Sequence, residues 1–417
     1  MSSSFSARTA AVAAALAIVV AAAPVAAKKP EPVAAAPTGA DGKNISKAAR
    51  PALMEAQKLT TAGDLPGALA QLRTVEALPG LNSTDAFFIG QLKLGVAIKQ
   101  KDNKLAEEAL KTIVNNEFVT PAEKPKYLRN LANFALQRND YAGATAFFEQ
   151  LAASPDASSD DLTVLAELYA KQKQMPQAMA TFDKVAAAAA ASGKPVPENV
   201  YARRLQLAYD GKIAATVLPA SLDLVKAYPT PDNWRSTLYI FREGAKLDDQ
   251  GNLDVFRLMD TADALKGERD YAEYVETAIG KGVPGEAKTI LAKGIAKGMI
   301  PTSKPYVAEY TKSITTRIAA DRASLAATDK EARGSATGKT ALGQGDAYYG
   351  YADYAKAAEM YRLALSKGGV DAATANLRLG ATLARAGDKA GAVTALQAVS
   401  GGPRATLAKF WLVWLKA

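Results

Sequence analysis

The chain has 417 residues, 49% hydrophobic and 22% charged, with a formal net charge of +9 and neither histidine nor cysteine. Lacking both residue types, it cannot build Ser-His-Asp or Cys-His nucleophilic machinery, zinc held by histidine or thiolate, His-ligated haem or a dithiol redox pair. Disulfides are excluded too, so stability has to come from packing. Any catalysis would rest on carboxylates, Lys, Tyr, Ser or Arg, and neither S-x-x-K nor G-x-S-x-G occurs.

The first nine residues carry one basic and no acidic side chain, and Ala10 to Ala23 is an unbroken apolar run. Val25-Ala26-Ala27 then supplies small residues suited to signal peptidase, so residues 1–27 read as an export signal cleaved after Ala27. The alternative is an uncleaved membrane anchor, for which Ala10 to Ala27 lies at the lower edge of spanning length. No later segment is apolar enough to span a membrane, so the expected product is soluble, periplasmic or secreted. Residues 28–44, rich in Pro, Ala and Gly, have little to bury and read as a flexible tether.

From Ile45 onward a helical frame recurs. Ala68 with Leu72 and Ala106 with Leu110 are weak copies spaced thirty-eight residues apart. Leu128, Leu131, Ala132, Tyr141, Ala144 and Phe148 form a stronger one, and Leu162, Leu165, Ala166, Tyr169, Ala178 and Phe182 repeat it, with Ala144 and Ala178 thirty-four residues apart. Between 195 and 333 the frame is degraded, with one copy at Tyr274, Ala278, Gly282, Ala287 and Leu291. That stretch still reads as helices, with Val307, Tyr310, Ile314 and Ile318 on one face. The frame returns at Gly345, Tyr348, Tyr354, Ala357, Tyr361 and Ala364, and again at Leu379, Gly380, Leu383, Ala392 and Leu396.

These offsets resemble the tetratricopeptide (TPR) repeat, in which two short antiparallel helices cross at small residues while larger ones fill the gap to the next pair. No copy carries the tryptophan that often opens the family pattern. The resemblance implies an all-α, right-handed superhelical solenoid of roughly ten hairpins. It would comprise an N-terminal array over 45–194, a degenerate helical-repeat region over 195–333, and a C-terminal pair with a capping helix over 334–417. It also implies a protein-binding groove lined by the first helix of each hairpin. The positions beside the packing residues are Lys126, Arg129, Asn133 and Gln137 in one unit, Glu167 and Lys171 in the next, and Asp346 and Tyr349 near the end. Arg129 and Asn133 match the first half of a carboxylate clamp, but Val164 stands where the second half needs Asn.

Two motifs fall short of chemistry. Gly334-Ser-Ala-Thr-Gly338-Lys339-Thr340 has three residues where a phosphate loop needs four and follows a helix instead of a strand, so it reads as a turn. Leu247-Asp248-Asp249-Gln250-Gly251-Asn252 would put Lys246 and Arg257 at calcium-ligand positions, so it reads as a turn with an N-cap at Asn252. Neither metal nor cofactor is expected, nor a nucleic-acid partner.

The reading that follows is an exported, non-enzymatic scaffold holding a protein partner in envelope assembly, secretion or polymer export. The alternative is a cell-wall or polysaccharide-binding protein, or a carboxylate-based carbohydrate-active one. Its contact would be Lys281 to Arg317, where seven basic residues outnumber two acidic ones. Phe410 to Leu415 is six apolar residues in a row. A stripe of Leu407, Trp411, Trp414 and Leu415 is expected to be buried with Phe410 and Val413 turned elsewhere, leaving either a helix folded back on the array or a contact with a second copy (a homodimer) or a partner.

Overall fold

The computed structural model describes residues 44–154 and 157–417; the expected signal over 1–27 and all but Asn44 of the tether lie outside the described residues. Twenty helices and no strand occupy the described part. The chain divides into two compact units between Val200 and Tyr201, so from Tyr201 onward the degraded region and the C-terminal copies belong to one unit.

The first unit holds four hairpins: α1 (Arg50–Ala62) with α2 (Leu65–Glu76), α3 (Ser83–Gln100) with α4 (Asn103–Ile113), α5 (Lys124–Gln137) with α6 (Tyr141–Ala152), and α7 (Ser159–Lys171) with α8 (Met175–Ala191). One local device makes most of these turns. The second helix is capped by an aspartate whose carboxylate accepts a backbone N–H three residues on: Asp64 from Gly67, Asp102 from Leu105, Asp140 from Gly143. This satisfies one of the unpaired donors at a helix start. The preceding residue, Gly63, Lys101 or Asn139, has positive φ, which lets the cap's own N–H return to a carbonyl five residues back and closes the first helix. The small residues Ala68, Ala106, Ala144 and Ala178 are all buried, as the recurring frame requires.

α9 (Glu198–Asp210) carries the chain into the second unit. There follow α10 (Ala214–Ala227), α11 (Pro231–Ala245) with α12 (Asp249–Thr261), and α13 (Gly267–Gly280) with α14 (Pro284–Ala296). The single helix α15 (Pro305–Gly334) comes next. Then come α16 (Lys339–Gly350) with α17 (Tyr354–Lys367), α18 (Ala372–Ala386) with α19 (Lys389–Gln397), and α20 (Gly402–Trp414). The Asp cap returns at Asp353 and Asp388. The small positions of α16 and α18 meet the residues the frame paired them with. A Cβ at Gly345 would stand 2.5 Å from the Tyr361 ring, and one at Gly380 2.5 Å from Leu396.

This unit is closed on itself. α14 packs on α16, α12 on α18 and α20, and α10 on α20. The helices before α15 therefore fold face to face on those after it, in reversed order. α15, thirty residues long, spans both halves, with its Val307 and Ile314 buried and Tyr310 and Ile318 packed against the core. α20 is covered by α10, α18 and α19, and Phe410 meets Trp234 and Phe241 edge-on. Phe410 is thus as buried as Trp411, where the sequence stripe had turned it away: covered on two sides, the helix buries more than one stripe.

The two near-motifs are turns. Gly338 donates its N–H to Gly368 O and the Lys367 ammonium binds the carbonyls of Arg333 and Ser335, so the glycine-rich loop is tied to the end of α17. The cap at the other is Asp248, not Asn252, because Asp248 accepts from Gly251 N while Asn252 lies inside α12 and bonds Arg242.

Candidate binding surfaces

Inner faces carry the binding residues in repeat solenoids, and the two units treat theirs differently. In the N-terminal unit Lys126 and Gln137 are exposed, and Arg129 and Asn133 are half-buried along the same face of α5. Arg129 forks onto buried Asp161 of α7 at 2.9 and 2.7 Å, and Ser158 donates to the same carboxylate. Its guanidinium therefore serves to neutralise Asp161 as well as to line the face. Glu167 is half-buried on α7, and Lys171 is exposed with its ammonium 4.1 Å from the Tyr141 ring centre. Nearby, Tyr169 donates to Glu149 at 2.7 Å, and burial together with that carboxylate pushes its hydroxyl up to about 12.

Asp346 and Tyr349 do not line an open groove. They sit on the inner face of α16, which α12 and α14 cover. Arg257 and Arg378, each 2% exposed, face Asp254, Glu286 and Asp346 there. Arg257 grips Glu286 with two bonds at 2.9 and 2.8 Å and reaches Asp346 at 3.2 Å. Arg378 binds Asp346 at 2.5 Å, Asp254 at 2.9 Å and the Gln250 amide. Tyr274 and Tyr361 donate to Glu286 and Asp346 at 2.6 and 2.7 Å, which helps solvate three carboxylates that face only two guanidinium groups. The Arg257 guanidinium lies 4.3 Å from the Tyr349 ring centre. Burial alone would lower the pKa of Arg257, but the charges of Glu286 and Asp346 overcome it and hold the group well above its ordinary value. A cluster so fully bonded is a fastener between the two halves, with its donors and acceptors spent on one another.

Sequence reasoning missed Asp254, Arg257, Glu286 and Arg378. A signal was present: Arg257 lies within Val-Phe-Arg-Leu-Met, and Arg378 between Leu377 and Leu379. A charge inside an apolar stripe needs a buried counter-charge.

The basic stretch from Lys281 to Arg317 is largely matched. Lys281 pairs with Asp249, Lys293 with Asp260, Lys297 with Asp263 and Lys304 with Glu268, while Arg317 donates to the Ile279 carbonyl. Four of its seven basic side chains are thus paired with acids outside the segment. Among the described residues no helix is long and apolar enough to cross a membrane, and no cluster of three or more His, Cys, Asp or Glu could hold a metal.

Paired helices, small residues at each crossing and an Asp cap at the turn decide the architecture. The described residues form an all-α array of helical hairpins. No family model matches the sequence, and no curated protein matches it. Among solved structures it is similar to Naa15/Naa10 bound to HypK-THB, with 15% identity over 88% of this chain and 66% of that one and a TM-score of 0.28. A tetratricopeptide repeat protein from Parabacteroides merdae matches with 14% identity over 81% of this chain and 100% of that one, TM-score 0.26. Yeast Tom70 matches with 13% identity over 88% of each chain, TM-score 0.23. This chain spans just under two thirds of the first of these. With overlaps this loose, the assignment rests on the hairpin packing itself.

Proposed function

We propose that the protein is an exported, non-enzymatic scaffold of the cell envelope that holds a segment of a protein partner on the N-terminal array. The observation that carries this reading is the contrast between the two units. The inner face of the C-terminal unit is consumed by its own helices, whereas Lys126, Asn133 and Gln137 on α5 and Lys171 on α7 leave a mixed polar face open. Such a face suits a peptide read through backbone and side-chain hydrogen bonds. The matched charges of Lys281 to Arg317 favour this reading over a polyanion-binding one.

The test is photocrosslinking from positions 126 and 137 of the full chain in its native compartment, with the captured protein identified. The triple variant Lys126→Glu, Gln137→Ala, Lys171→Glu should then weaken that partner about tenfold or more with helix content unchanged. Arg129 is left intact, because removing it would strand Asp161 and confuse binding with folding. A partner that binds the triple variant as tightly as the parent overturns the assignment.

A further inference from the structure

At the α10 and α20 end of the C-terminal unit the two halves do not close completely. A cavity of about 490 Å³ lies between α10, α11 and α20, within the range of small-molecule sites. Its walls are mostly apolar, built from Val217, Leu218, Ile240, Phe241 and Phe410. Two polar groups stand out. Ser221 is 2% exposed and lines the cavity. Lys212, in the turn between α9 and α10, is exposed, contributes to the lining and has no ion-pair partner among the described residues.

We infer that this cavity binds a monocarboxylic amphiphile, with its hydrocarbon chain among Val217, Ile240, Phe241 and Phe410 and its carboxylate at the Lys212 ammonium. Besides Lys212 and Ser221 only Tyr209 and Thr406 bring polar side chains to the lining, too few to replace the water that the many hydroxyls or phosphates of a sugar or nucleotide would lose. A single lysine suits a singly charged head, whereas a doubly charged phosphate is ordinarily met by several charged donors. Lys212 can lay its methylenes along the rim and keep its charge in water, where a carboxylate would remain partly solvated. The Ser221 hydroxyl offers one further hydrogen bond inside the slot.

The test uses the full chain and monomeric dodecanoate, read by calorimetry, with dodecanol and dodecyltrimethylammonium as controls. Dodecanoate should bind saturably at one site and more tightly than either control. Lys212→Gln should weaken dodecanoate by about tenfold and leave dodecanol unchanged. Gly244→Leu is designed to fill the slot from its wall: Gly244 lines it, a Cβ there meets nothing within 4 Å, and leucine favours the helix. It should abolish binding of both while the unfolding midpoint is kept. Absence of saturable binding overturns the proposal, as does binding indifferent to Gly244→Leu. Equal affinity for all three amphiphiles would remove the role of Lys212. Displacement of dodecanoate by an apolar helical peptide that binds far more tightly would make the cavity a protein-docking site instead. The readout does not involve α5 or α7, so it stands or falls apart from the scaffold assignment.

Discussion

Removing the Arg257 guanidinium would leave Glu286, and in part Asp254 and Asp346, charged in a space closed to water. Breaking such a buried pair by deleting one partner costs about 3–5 kcal/mol, whereas an exposed pair contributes less than about 1 kcal/mol. Arg257→Ala should therefore lower the urea midpoint far more than Lys266→Ala, which breaks only the exposed contact with Asp232. Similar shifts for the two would mean that the cluster is open to water. Glycines give a second contrast on neighbouring turns of α16. A Cβ at Gly338 would fall 2.2 Å from the Ala364 carbonyl oxygen, which is backbone and cannot swing away, while one at Gly343 meets nothing within 4 Å. Overpacking costs about 1–3 kcal/mol and glycine in a helix about 0.5–1 kcal/mol. The signs should differ: Gly338→Ala lowers the thermal midpoint and Gly343→Ala raises it.

At the scale of the hairpin, the turn is legible in sequence because it is local. Asp353 caps α17 through Lys356 N, and Ala352 before it takes φ of 60° so that the Asp353 N–H can reach Tyr348 O. Asp353→Ala should cost about 1 kcal/mol through loss of the cap. Ala352→Gly should stabilise, because relief of a left-handed alanine, about 1–2 kcal/mol, exceeds the entropic cost of glycine, about 0.5–1 kcal/mol. Denaturation midpoints moving in opposite directions would verify both; a loss at each position would show that the turn is not strained. The same locality explains why Ala144, Ala178, Ala357 and Ala392 could be placed correctly from spacing alone. Several ion pairs also follow the repeat: Arg129 and Asp161 are 32 residues apart, Lys297 and Asp263 34, Arg235 and Asp270 35. What local pattern could not convey is the folding back of the C-terminal unit. Its fasteners join Asp254 to Arg378 across 124 residues, a separation unrelated to one repeat, so Asp346 and Tyr349 looked like groove residues until the covering helices were in place.

For the whole molecule, the absence of histidine and cysteine fixes how stability responds to pH. Without them no side chain with an ordinary pKa titrates between about pH 5.5 and 8.5. Burial alone would raise Glu107, but Lys111 and Arg138 overcome it and hold the carboxyl below its ordinary 4.5. Asp263 is held below 3.8 chiefly by the Lys297 ammonium, and Asp371 below 3.8 chiefly by the Thr374 hydroxyl, with burial opposing both. A carboxyl lowered in the folded state binds its proton more readily when unfolded. Its contribution is therefore fully present above the unfolded value and is lost as pH falls through the folded one. These three groups set the direction on the acid side in both units, Glu107 in the first and the two aspartates in the second. The urea midpoint should accordingly stay level from about pH 8.5 to 5.5 and fall continuously below about pH 4.5. Charge reversal of Lys297 to Glu should remove the Asp263 share and flatten the start of that fall. A midpoint that instead changes by more than about 1 kcal/mol equivalent near pH 6.5 would require a strongly displaced buried carboxyl that titrates there.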